Sequence, residues 1–131
     1  ITEPLQGEAG ILIPPSGWLS QVAQICHDHH ILLVVDEVQS GLGRTGKVLA
    51  CYHEDVQPDA VILGKSLGGG FLPVSALVGR RDLLSLLSPG SHHSTFGGNP
   101  LAAAVGLASL QVLKDEKLCE RSAELGEYFL H

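Results

Sequence analysis

Two uninterrupted apolar runs, ILLVV from Ile31 and AVIL from Ala60, each end at a residue able to do chemistry, Asp36 and Lys65. Neither run alternates polar with apolar as a half-solvated strand does, so both are expected to be central strands of a parallel sheet covered on both faces. Ahead of them, Trp18, Val22 and Ile25 recur at helical spacing and Leu19 and Cys26 widen the stripe, which predicts a crossover helix within residues 14–30. The opening ITEP reads as the end of a strand. Lys47 to His53 is expected to be a short helix, Gln57 to Asp59 a turn, Pro73 to Gly79 a strand and Asp82 to Leu87 a short helix. From Asn99 to Lys114 a helix is predicted with Leu101, Val105, Ala108 and Val112 on one face. LKDEK breaks it, and Leu118 to Leu130 follows as a second helix with Leu118, Leu125 and Phe129 inward. The pattern is α/β: a mostly parallel sheet flanked by helices.

Strand ends give Asp36 and Lys65 their interest, because ligands of open α/β sheets bind at the carboxyl edge. A lysine amine forms a Schiff base with an aldehyde. Pyridoxal phosphate is such an aldehyde, and it needs an anion at its ring nitrogen to act as an electron sink, a part Asp36 can supply. Each residue also has an ordinary reading: an Asp after a strand caps the next turn, and a Lys there is usually solvated.

Composition narrows the classes. The 131 residues are 44% hydrophobic, enough for a folded body with a core. A formal charge of -6 without a basic cluster argues against a nucleic-acid partner. Three cysteines without a CxxC read as reduced thiols of a cytosol-like compartment. No apolar run approaches the roughly 18 residues of a membrane span, and no signal peptide is visible. With no Met and a first residue inside a strand, the chain is expected to be a fragment.

Several motifs compete for attention. GLGRTGK, residues 41–47, has the spacing of a phosphate-binding loop after a strand, and so raises nucleotide hydrolysis. Val48 stands where such a loop needs a magnesium-binding hydroxyl, however. His27, His29 and His30 sit at a helix end, where they complement its dipole, and no further ligands at metal spacing accompany them. Gly68 to Gly70 marks a sharp bend or a close approach. SPGSHHST, residues 88–95, just before the helix at Asn99, is either an anion pocket or a Ser-rich surface turn.

Taken together, VVDEVQSGLGRTGK, PDAVILGKSLGGGFLPVSAL and HSTFGGNPLAAA, in that order, resemble the fold-type I, class III pyridoxal-phosphate aminotransferases, and within them the ornithine aminotransferases. The resemblance runs from ITEPLQGEAG to the last helix. It implies that residues 1–131 are part of the cofactor-binding large domain, with 117–131 leading toward a small domain. It implies transfer of the δ-amino group of ornithine to 2-oxoglutarate, with acetylornithine or 4-aminobutyrate as alternative donors. An inactive folding or dimerisation module is the non-enzyme alternative. On the same resemblance Lys65 holds the cofactor and moves the proton, and Asp36 faces the ring nitrogen. Val38 packs on the ring and Gln39 reaches its phenolic oxygen, while Arg44 and Thr45 support the loop. Ser94 and Thr95 are donated across a homodimer to the partner's cofactor phosphate, although the family more often has a glycine at the place of His93. Glu8 gates the substrate site by pairing with an arginine beyond His131. No metal is implied.

Overall fold

The computed structural model describes residues 1–131. Three short strands form one sheet in the order β1 (Val34–Asp36), β2 (Ala60–Leu63), β3 (Ala76–Gly79). β1 and β2 are parallel, with Val34, Val35 and Asp36 opposite Ala60, Val61 and Ile62. β3 runs antiparallel to β2, with Leu63 opposite Ala76 and Ala60 opposite Gly79. On the far side of β1, Thr2 makes a parallel bridge to Val35: its N–H donates to the Val34 carbonyl and its own carbonyl accepts from Asp36. The opening residues thus touch the sheet through one isolated bridge, and β2 is the central strand of the three.

The first run is apolar over five positions, residues 31–35, but only Val34 and Val35 of it are strand. His30 has φ 56° and turns the chain out of the helix, and Ile31 and Leu32 stay exposed. The Leu33 N–H goes to the Asp59 carboxylate at 2.8 Å instead of to a ladder carbonyl. Asp59 also takes Arg80 at 2.8 Å, so one carboxylate ties the entry of β1 to the exit of β3.

Helix α1 (Trp18–Asp28) covers one face. Leu19 is buried with Leu33, Val35, Cys51 and Val56, and Trp18, Val22, Ala23 and Cys26 pack around that cluster. Ile25, expected inside, is 57% exposed. The cap of α1 comes from afar: Glu54, in the 3₁₀ turn Ala50–Glu54, accepts the N–H groups of Gly17 and Ser20 at 3.0 and 2.8 Å. That turn replaces the helix expected at 47–53, starting three residues later. The predicted strand at 73–79 shortens to β3, and the short helix α2 is Arg81–Leu84.

Beyond β2, helix α3 (Pro100–Asp115) begins at Asn99, whose side chain accepts the Ala102 N–H at 2.9 Å. It docks on the 3₁₀ turn Lys65–Gly68 through small residues: Ala102 is buried, Gly106 faces Leu67, and Ser109 donates to the Ser66 carbonyl at 3.0 Å. Of the face expected to carry Leu101, Val105, Ala108 and Val112, only Val105 is half-buried and the rest is exposed. Helix α4 (Leu118–Leu130) likewise packs through Cys119, Ser122 and Ala123 on the loop at 43–46, leaving Phe129 exposed and Leu125 partly so.

Candidate functional site

Parallel pairing of β1 with β2 brings the two expected residues to one edge. Asp36 ends β1 opposite Ile62, and Lys65 lies three residues beyond Ile62, where the 3₁₀ turn Lys65–Gly68 begins just past β2. Asp36 is half-buried, and its Oδ1 accepts the Val38 N–H at 3.0 Å. The Lys65 backbone has φ 41°, a left-handed conformation that a side chain disfavours and that marks a position fixed by its surroundings. Gly64 precedes it in extended backbone, and a Cβ built there would lie 3.4 and 3.5 Å from the Val38 methyls. Val38, one turn past β1, therefore sits against the chain that delivers Lys65.

Glu8 reaches the same edge from the first loop. Its Oε1 accepts the Gln39 amide at 2.6 Å and lies 3.6 Å from Lys65 Nζ. Gln39 in turn lies flat on Gly7, where a Cβ would stand 2.9 Å from its Cγ. The loop is pinned by Glu3, which accepts the Gly7 N–H at 3.0 Å. The Lys65 side chain is 52% exposed and that of Glu8 87%, so the ion pair is solvent-screened and worth little by itself. What it shows is proximity. An amine, a carboxylate from the end of the adjacent strand, a branched side chain and an amide thus lie at one edge of the sheet, a donor set suited to the two polar ends and the flat face of an aromatic aldehyde. Within this chain the partners of Glu8 are Gln39 and Lys65.

Ser94 and Thr95 are not brought to this group. They lie exposed between α2 and α3, where Ser94 Oγ accepts the Gly97 N–H at 3.0 Å, and no hydrogen bond or ion pair joins them to Asp36, Gln39 or Lys65.

The phosphate-loop spacing at 41–47 has a packing cause. A Cβ at Gly43 would meet Leu113 Cδ1 at 2.9 Å, and one at Gly46 would meet Ala123 Cβ at 3.0 Å. The Arg44 carbonyl accepts from Ser122 at 3.1 Å and Lys47 donates to the Tyr52 carbonyl at 2.7 Å. These glycines admit α3 and α4, and the segment that follows is the short 3₁₀ turn Ala50–Glu54, not an α-helix whose N-terminus could face a phosphate. Likewise no group of three or more His, Cys, Asp or Glu side chains is placed to hold a metal ion.

Sequence reasoning passed over Glu37 and Ser40, which are 1% and 2% exposed. Glu37 Oε2 accepts the Ser40 hydroxyl at 2.5 Å and Oε1 accepts the Cys51 N–H at 2.8 Å. Burial, then the charge of Glu37 and a hydrogen bond to it, push the Cys51 thiol up to about 12. The signal available was alternation: if Asp36 faces the edge, the next acid on a strand faces the body.

The whole chain, residues 1–131, matches the family model for class-III aminotransferases. The ornithine aminotransferase of Bacillus subtilis is 59% identical over 97% of the chain. Two solved structures superpose closely. One is an ornithine aminotransferase from Toxoplasma gondii, with partial occupancy of PLP at its active site (TM-score 0.95, 52% identity, 97% of the chain and 30% of that protein). The other is an acetylornithine aminotransferase from Elizabethkingia anophelis (TM-score 0.94, 54% identity, 97% of the chain and 32% of that protein). The chain spans about a third of the curated relative, 32% of its length. With a family model matched from end to end and the same fold at more than half identity, the chain belongs to the class-III aminotransferases.

Proposed function

We propose that residues 1–131 form the lysine-bearing part of the large domain of a pyridoxal-phosphate-dependent ornithine aminotransferase, with 117–131 leading toward a smaller domain. The enzyme transfers the δ-amino group of ornithine to 2-oxoglutarate, yielding glutamate and a semialdehyde that cyclises to a pyrroline. One observation carries the reading: Asp36 and Lys65 leave adjacent parallel strands at the same edge, with Val38 against Gly64 between them.

Bound there, the cofactor supplies an electron sink for the negative charge left on the substrate carbon when its proton departs. The residues of this chain do the rest. Lys65 Nζ would hold the cofactor's aldehyde carbon, and once displaced would carry the proton off the substrate's Cδ. The Asp36 carboxylate would keep a proton on the ring nitrogen, its Oδ1 already oriented by the Val38 N–H. Val38 would flank the ring and Gln39 would donate to the phenolic oxygen. Ser94 and Thr95, exposed and unattached to this edge, suit donation to the phosphate of a second subunit in a homodimer. Glu8 would gate the substrate site by alternating between its partners here and an arginine beyond His131. The three free thiols fit a reducing compartment, cytoplasmic or the mitochondrial matrix, and no helix is long and apolar enough to cross a membrane.

Likeness to an acetylornithine aminotransferase at 54% identity favours a second reading of the donor alone. The test supplies the full-length enzyme with 2-oxoglutarate and either ornithine or acetylornithine. Pyrroline formation with at least tenfold higher kcat/KM for ornithine is expected. A preference for the acetylated donor would move the assignment to that branch, while Lys65→Ala should lower turnover by about 10²–10⁴-fold with either donor.

A further inference from the structure

We propose that Glu37, which the mechanism above does not use, is a positioning residue that aims the carboxylate of Asp36. The Asp36 Oδ1 is oriented by the Val38 N–H at 3.0 Å, and that N–H belongs to the peptide joining Glu37 to Val38. Glu37 is held by four contacts that bracket this peptide. Its N–H donates to the Ile62 carbonyl of β2 at 2.9 Å, and its carbonyl accepts the Gly41 N–H at 2.9 Å. Its carboxylate accepts the Ser40 hydroxyl and the Cys51 N–H. The closure depends on Gly41, where a Cβ would stand 2.8 Å from the Glu37 carbonyl oxygen. A buried carboxylate is expensive to hold unless its hydrogen bonds are made, and here both oxygens are engaged. A plain apolar side chain would fill the space as well, but it could not clamp the turn at 40 and the returning chain at 51 together. Asp36 is tethered at Oδ1 while Oδ2 has no hydrogen bond within the chain, which leaves one carboxylate oxygen available to a ring-nitrogen partner.

The inference rests on the cofactor reading, and the experiment separates their failures. Full-length holoenzyme is prepared as wild type, Glu37→Gln, Asp36→Asn and the double variant. Cofactor affinity and the pH midpoint of the bound cofactor's visible spectrum are then measured. Glutamine keeps an acceptor for Cys51 and can face the Ser40 hydroxyl, so the turn persists with a weaker clamp. Expected for Glu37→Gln are a cofactor Kd about tenfold higher and a spectral midpoint displaced in the same direction as in Asp36→Asn. On the Asp36→Asn background the same change should cost less than about twofold more, because the clamp acts through the carboxylate already removed. A purely structural role would lower Tm without moving the midpoint, and its effect would add in full to that of Asp36→Asn; either result overturns the proposal. Should Glu37→Gln not fold, Ser40→Ala removes one of the two side-chain bonds. It should weaken cofactor binding by about two- to fivefold with the same non-additivity, and full additivity there would also overturn it. If Asp36→Asn itself leaves affinity and spectrum unchanged, the cofactor reading fails and the inference with it. If Asp36→Asn weakens binding but Glu37→Gln does not, the inference alone fails.

Discussion

At the scale of single residues, Asp36 and Glu37 show how one step along a strand separates two identical chemistries. The first faces the edge, and the second is sealed inside with Ser40 and Cys51. The sealed group has a consequence in pH. The Cys51 thiol is pushed up to about 12, first by burial and then by Glu37, so the folded protein keeps a proton that the unfolded chain releases near its ordinary 9.0. The stabilisation is complete below that value and is lost as pH rises from 9.0 toward 12. Denaturant midpoints of the full-length enzyme should therefore fall across this window, and less steeply in Cys51→Ala; identical slopes would remove Cys51 as the cause. Native alkylation at neutral pH should spare Cys51. Gly41 is the other sensitive position: Gly41→Ala drives a methyl to 2.8 Å from the Glu37 carbonyl oxygen and should cost about 1–3 kcal/mol in a chemical melt.

Whole elements show what periodicity can and cannot say. The apolar runs marked β1 and β2 because only a buried parallel pair tolerates such uniform branching, and this alone brought Asp36 and Lys65 to one edge. Orientation of α3 and α4 was not legible. The large apolar residues of α4 suggested its inner face, yet both helices dock through Ala102, Gly106, Ser109, Cys119 and Ala123, since close approach to a turn or a glycine loop needs small side chains. The same approach explains the decoy at 41–47, whose glycines look like a phosphate loop until the helices lying on them are seen. Ser94 and Thr95 could be named only by resemblance, because nothing in one chain's pattern says what a loop meets on another. Remote capping was equally hidden: Glu54 lies far from α1 in sequence but receives two of its first N–H groups. Glu54→Ala should destabilise by about 1 kcal/mol, read as a lower denaturant midpoint of the full-length enzyme. An unchanged midpoint would mean that water serves those N–H groups equally well.

For the whole molecule the decisive quantity is surface. A free-standing monomer of 13.8 kDa is expected to expose about 6,600 Å², whereas this chain exposes 9413 Å². The excess, roughly 2,800 Å², exceeds what a standard protein–protein interface buries from both partners together. Much of it is apolar: Leu101, Leu107 and Val112 on α3 and Tyr128, Phe129 and Leu130 on α4 are exposed. A surface of this size and character marks an interaction face. The 131-residue chain expressed alone should accordingly self-associate and bind a hydrophobic dye strongly, and the full-length enzyme should do neither beyond its native assembly. A monomeric, dye-silent isolated chain with a sharp thermal transition would show that this surface needs no cover, and would remove the physical argument for a larger assembly around Lys65.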